Sequence, residues 1–118
     1  MAGLTTHVLD LTSGKPAEGL NVSLFEKDSQ NAKNLLGNFV TNSDGRISKP
    51  LLNEKEIKAG WYELIFFAGE YLKAFHKMKE EDLFFDNIPI QFQITNIEQH
   101  YHVPLLLSKY GYSTYRGS

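Results

Sequence analysis

Along much of this chain apolar side chains recur at every second position, and that period rules out most ways of folding it. Ile88, Ile90, Phe92 and Ile94 alternate with Gln91, Gln93 and Thr95. Leu20, Val22 and Leu24 alternate with Asn21 and Ser23 in the same way. In extended backbone, successive side chains point to opposite faces, so this pattern buries one face of a strand and leaves the other wet. Tyr62, Leu64, Phe66 and Ala68 form a further inward set, but Trp61, Ile65 and Phe67 opposite them are also apolar. That strand is expected to be covered on both sides.

Turn signals interrupt these runs at short intervals: Ser13-Gly14-Lys15-Pro16, Asn42-Ser43-Asp44-Gly45 and Asp86-Asn87-Ile88-Pro89. Asp44-Gly45 is a strong tight-turn pair, because glycine reaches positive φ without steric cost. The spacing predicts six to eight strands, near 4–11, 20–27, 36–42, 46–49, 61–68, 70–74, 88–95 and 101–116, the last with a break near 108–111. One helix is expected at 76–83, where His76-Lys77-Met78-Lys79-Glu80-Glu81-Asp82-Leu83 lacks alternation and favours helix formers. Many short strands and one short helix give an all-β fold, an antiparallel β-sandwich. The 118 residues fit one domain, 1–118, and 42% hydrophobic residues supply a core without staples.

The composition also narrows the partners. Cysteine is absent, which removes disulfides, thiolate metal ligands and a cysteine nucleophile. A net charge of −2 leaves no electrostatic footprint for nucleic acid or an anionic membrane. No run approaches the roughly 18–20 apolar residues that cross a bilayer. The start has no basic region followed by an apolar run and the end is not Ser-Lys-Leu, so the cytoplasm is the expected location. A small molecule, or a second copy of the chain, is the expected partner.

Chemically loaded residues gather toward the end. His100 and His102 are two apart in a strand and share a face, with Tyr101 and Val103 opposite. Three roles are open to them: a half-exposed surface pair, zinc ligands together with a distant His7, or general acid–base work near neutrality. His7 and Leu9 share one face of their strand, Thr6 and Val8 the other. Arg46 follows the Asp44-Gly45 turn, as a solvated charge or as a clamp on an anionic or carbonyl-rich ligand. Pro104 cannot donate to a ladder, so it marks an edge or a bulge. Leu105, Leu106 and Leu107 present apolar side chains to both faces, for a core, a subunit contact or both. Tyr115-Arg116-Gly117-Ser118 close a segment that still reads as strand.

The stretch His100-Tyr101-His102-Val103-Pro104-Leu105-Leu106-Leu107-Ser108, with Tyr110-Gly111-Tyr112-Ser113-Thr114-Tyr115-Arg116-Gly117-Ser118, resembles the 5-hydroxyisourate hydrolases, transthyretin-related proteins of purine breakdown. Thr6-His7-Val8-Leu9-Asp10, Gly14-Lys15-Pro16-Ala17 and Asp44-Gly45-Arg46 agree in the same order. The hormone-carrying transthyretins lack the Tyr-Arg-Gly-Ser ending and the histidines matching His7 and His102. Lys109 departs from the proline many relatives carry there.

The resemblance implies a transthyretin-like sandwich of two four-stranded sheets with a short helix. It also implies a homotetramer, a dimer of dimers with its sites at the dimer–dimer interface. Residues matching the family's site are His7, Arg46, His102 and Ser118 as catalytic groups. His7, Arg46, Tyr115, Arg116 and Gly117 match as substrate-binding groups. The implied reaction is cofactor-free and metal-free hydrolysis of 5-hydroxyisourate at a ring amide, with a histidine assisting water. His100 is expected to support this site without touching substrate. A carrier of flat aromatic ligands and a zinc hydrolase using His7, His100 and His102 are the alternatives.

Overall fold

The computed structural model describes residues 2–118. Strands β1 (Gly3–Asp10), β2 (Lys15–Pro16), β3 (Asn21–Lys27) and β4 (Lys33–Val40) are followed by β5 (Gly60–Phe67). Helix α1 (Ala68–Phe75) comes next, and then β6 (Asn87–Ile94), β7 (His100–Leu107) and β8 (Tyr112–Thr114). They form two four-stranded sheets, ordered β2-β1-β7-β8 and β4-β3-β5-β6. The sandwich of two four-stranded sheets with one short helix is therefore as expected.

Alternation builds the core. Leu4 and Val8 of β1, Val22 and Leu24 of β3, Leu64 and Phe66 of β5 and Leu105 of β7 are fully buried between the sheets. Each such side chain contributes about 1.5–3 kcal/mol relative to exposure. Tyr101 and Val103 are buried as well, so the odd-numbered positions of β7 face inward. The even-numbered His100 and His102 are then left on the outer face. Trp61 remains half-exposed, so the outer face of β5 is only partly covered. There the buried Glu63 accepts hydrogen bonds from Lys33 and Gln91.

Several local expectations are corrected. Residues 70–74 lie in α1, not in a strand, and the helix expected at 76–83 sits eight residues earlier. Ala68, Tyr71 and Leu72 are buried at helical spacing, Glu70 stands in the first turn and Lys73 in the last. Lys77, at φ +56°, stops the helix. In the 76–83 segment Met78 and Leu83 pack against the core, but five residues apart they do not share a helical face, and the segment contains only a 3-10 turn at Glu80–Asp82. The 46–49 strand reduces to a single bridge between Arg46 and His7. Lys15–Pro16, read as a turn, adds a two-residue pairing to β1.

β1 and β7 run parallel, the exception in a sandwich whose other strand pairs are antiparallel. Pro104 is neither at an edge nor in a bulge: it lies in β7, between β1 and β8. Its missing N–H falls where the β7–β8 ladder is interrupted. Pairing stops after Leu105↔Thr114 and resumes in the same register at His102↔Gly117. Thr114 Oγ1 spans the gap by donating to the Pro104 carbonyl at 2.8 Å.

Candidate active site

The outer face of the β1–β7 pair collects the histidines. In the parallel register Thr5 lies beside His102 and His7 beside Pro104. With strands about 4.8 Å apart and two residues rising about 6.6 Å, the backbones of His7 and His102 are about 8 Å apart. Thr6 fixes this alignment from the inner side, its Oγ1 donating to the Val103 carbonyl at 2.6 Å.

Arg46 arrives on a tight loop. Asn42 Oδ1 accepts from the N–H groups of Asp44 and Arg46, and the Asn42 carbonyl accepts from Gly45 N–H. Gly45 has φ +74°, and a Cβ there would lie 2.3 Å from the Val8 carbonyl. Only glycine lets this turn lie so close to β1. Val8 N–H donates to the Gly45 carbonyl at 2.8 Å, and Arg46 then bridges to His7. The His7 ring completes the junction, Nε2 donating to the Asp44 carbonyl at 2.9 Å. A carbonyl only accepts, so His7 carries a hydrogen on Nε2, and its neutral ring keeps a lone pair on Nδ1.

The end of the chain closes the other side. Gly117 N–H donates to the His102 carbonyl at 2.8 Å. A Cβ at Gly117 would approach His102 Cδ2 to 2.6 Å, so the absence of a side chain is what admits the imidazole. Ser118, next in the chain, is exposed. By the same register Tyr115 falls on the imidazole face and Arg116 on the opposite one. The Arg116 guanidinium lies over the Tyr101 ring, 4.1 Å from its centre, and donates to Gln99 Oε1 and to the His100 carbonyl. The structure thus brings His7, Arg46, His102 and Gly117 together and turns Arg116 away from them.

Burial pushes the His102 imidazole below the ordinary histidine value, and the charges of Arg46, His100 and His7 push it further. A half-buried histidine kept neutral beside a guanidinium is suited to take a proton from water while the cation stabilises a developing oxyanion. A cavity of about 270 Å³ beside them is lined by Thr5, Thr6, Arg46, Ile47, Lys49 and His100. Another, of about 290 Å³ between β6 and the end of β8, is bordered by Tyr115 and Arg116 but holds no histidine. The former has Arg46 and His100 in its lining, but neither His7 nor His102. Among the described residues, no three His, Cys, Asp or Glu side chains come together as a metal-holding group. No helix among them is long and apolar enough to cross a membrane.

Sequence reasoning passed over Thr5 and left His100 in a supporting place. Thr5 Oγ1 lies 2.9 Å from His100 Nε2 and 2.8 Å from His102 Nδ1. The two rings are nearly parallel at 17°, with centres 6.5 Å apart. Thr5 shares a face with His7 at a spacing of two, the one signal that could have drawn attention to it. The fourth histidine, His76, pairs with Asp10 away from this face.

A sandwich that sets imidazoles and a guanidinium on one sheet face is a transthyretin-like domain with a polar, titratable outer face. The chain belongs to the HIUase/Transthyretin family, matched over residues 4–117. It is 50% identical to a 5-hydroxyisourate hydrolase of Mesorhizobium japonicum, over 98% of this chain and 91% of that one. The solved Klebsiella pneumoniae 5-hydroxyisourate hydrolase is 36% identical, with TM-score 0.81 and full coverage of both chains. An (S)-allantoin synthase structure is 44% identical with TM-score 0.90, covering 98% of this chain but only 43% of that one.

Proposed function

We propose that this chain is a 5-hydroxyisourate hydrolase of purine catabolism, opening the substrate's six-membered ring at an amide bond. The observation that carries the reading is the meeting of His7, Arg46 and His102 on one sheet face, in a chain 50% identical to a named hydrolase. Water attacks the ring carbonyl as His102 takes its proton. Arg46 holds the substrate and balances the charge on the carbonyl oxygen. Collapse of the tetrahedral adduct breaks the C–N bond, and the departing nitrogen regains a proton. The product is 2-oxo-4-hydroxy-4-carboxy-5-ureidoimidazoline. Tyr115 and Gly117 line the ring, and Ser118 orients a histidine or the water.

The working unit is proposed to be a homotetramer, with the site at a dimer–dimer interface. Half-buried Leu9 and Leu106 share the outer face with the imidazoles, so a second copy would cover them and shield the site from bulk water. Freshly oxidised urate gives the test: the substrate's absorbance must decay at a rate proportional to added protein. A carrier would bind it and leave the spontaneous decay unchanged.

A further inference from the structure

Thr5 is where the two neighbouring imidazoles meet, through contacts of 2.9 Å to His100 Nε2 and 2.8 Å to His102 Nδ1. These residues are 95 and 97 positions apart in the chain, and the parallel β1–β7 register is what joins them. A hydroxyl has one hydrogen and two lone pairs, so Thr5 cannot donate to both rings. Because His102 Nδ1 faces Thr5, Nε2 is the nitrogen left to accept a proton from water. A neutral imidazole with its lone pair on Nε2 holds its hydrogen on Nδ1. Thr5 Oγ1 then accepts from His102, and its own hydrogen goes to His100 Nε2. The reverse line, His100 donating to Thr5 and Thr5 to His102 Nδ1, would place the hydrogen of a neutral His102 on Nε2 and leave that nitrogen unable to accept a proton from water.

We propose that Thr5 and His100 are positioning residues: through this hydroxyl bridge they hold His102 as its Nδ1–H tautomer and leave Nε2 as the proton acceptor. The sense of the bridge and its kinetic consequence rest on the hydrolase reading, whereas the contacts that form the bridge do not. When Nε2 takes the proton, the resulting imidazolium keeps its Nδ1–H bond to Thr5. The bridge thus serves the charged ring as well as the neutral one. The hydroxyl remains in place throughout, and both residues act on the reaction through His102.

Nitrogen-15 NMR of histidine-labelled protein, above the imidazole titration range, tests this directly. The expected spectrum shows His102 protonated at Nδ1 and bare at Nε2, with His100 bare at Nε2. A hydrogen on His102 Nε2 in the unmodified protein would overturn the proposal, whatever the activity. Thr5→Val should lower kcat about 10–100-fold, the size of one hydrogen bond to a charged group, with KM within about threefold. Thr5→Ser should restore most of the rate, and His100→Leu should repeat the Thr5→Val loss. A Thr5→Val protein as fast as the unmodified one would also overturn it. Should Thr5→Val fail to fold, the unmodified spectrum and His100→Leu decide. Failure of the unmodified protein to consume 5-hydroxyisourate would reject the hydrolase reading alone.

Discussion

Gly117 donates its backbone N–H to the carbonyl of His102 at 2.8 Å, and its missing side chain leaves the space that the imidazole fills. Gly117→Ala forces Cβ to 2.6 Å from His102 Cδ2, which either turns the ring or lifts the terminal strand. Displacement of a reacting group by about 1 Å can cost as much as 10²-fold. Gly117→Ala is expected to lose about 10–100-fold in kcat with an unchanged melting temperature, measured by steady-state decay and calorimetry.

The His102 imidazole lies below the ordinary histidine value, chiefly through burial and then through Arg46. Its neutral, base-competent form therefore persists to lower pH than a free histidine allows. The acidic limb of kcat/KM is expected below about pH 6.5, the unperturbed value. The stability sign follows from the same shift. The unfolded state takes up this proton first, so stability is fully present above the unfolded value and is lost as pH falls toward the folded one. Titrating His102→Asn beside the parent protein, by urea unfolding, should show that this part of the pH dependence is gone.

Arg116 faces Tyr101 and not the imidazoles, and it ties the terminal segment to Gln99 and the His100 carbonyl. Arg116→Ala is expected to lower kcat by loosening Gly117, with KM nearly unchanged. It should also expose the terminus to carboxypeptidase. A rise in KM at constant kcat would instead assign Arg116 to substrate binding.

Asp10 is 1% exposed and accepts from Tyr71, His76, Thr12 N–H and Ser13 N–H. Burial raises its pKa, but the hydrogen bonds from Tyr71, His76 and Ser13 outweigh it and hold the carboxyl below the usual range. The cluster ties the end of β1 to α1. Asp10→Asn should destabilise the fold by about 2–4 kcal/mol at neutral pH, read from urea unfolding. The parent's contribution from Asp10 is present above about pH 3.9 and disappears as pH falls through the lower folded value.

How much of this could be read from the sequence depended on the range of the interaction. Alternation in 20–27, 61–68 and 88–95 located β3, β5 and β6 to within a residue, because period two is a local property of extended backbone. α1 was misplaced because the inward set Tyr62, Leu64, Phe66 and Ala68 runs straight into it without a turn. Tyr71 and Leu72 also suit a strand until their burial at helical spacing is seen. Of the site, His7, Arg46 and His102 were legible through the resemblance, and the turn at Gly45 through its residue types. Thr5 was not: a threonine in a strand looks like any β-former, and its partners lie 95 and 97 residues away. The Asp10 cluster stayed hidden for the same reason, with Tyr71 61 residues away and His76 66.

The central claim is that His102 activates water for ring opening. Its most direct test is the absorbance decay of freshly generated 5-hydroxyisourate with the parent protein and with His102→Asn, at equal concentration and matched oligomeric state. The account predicts rapid, protein-dependent decay for the parent and a loss of about 10²-fold or more for the variant. Equal rates for the two, or no acceleration by the parent, would contradict it.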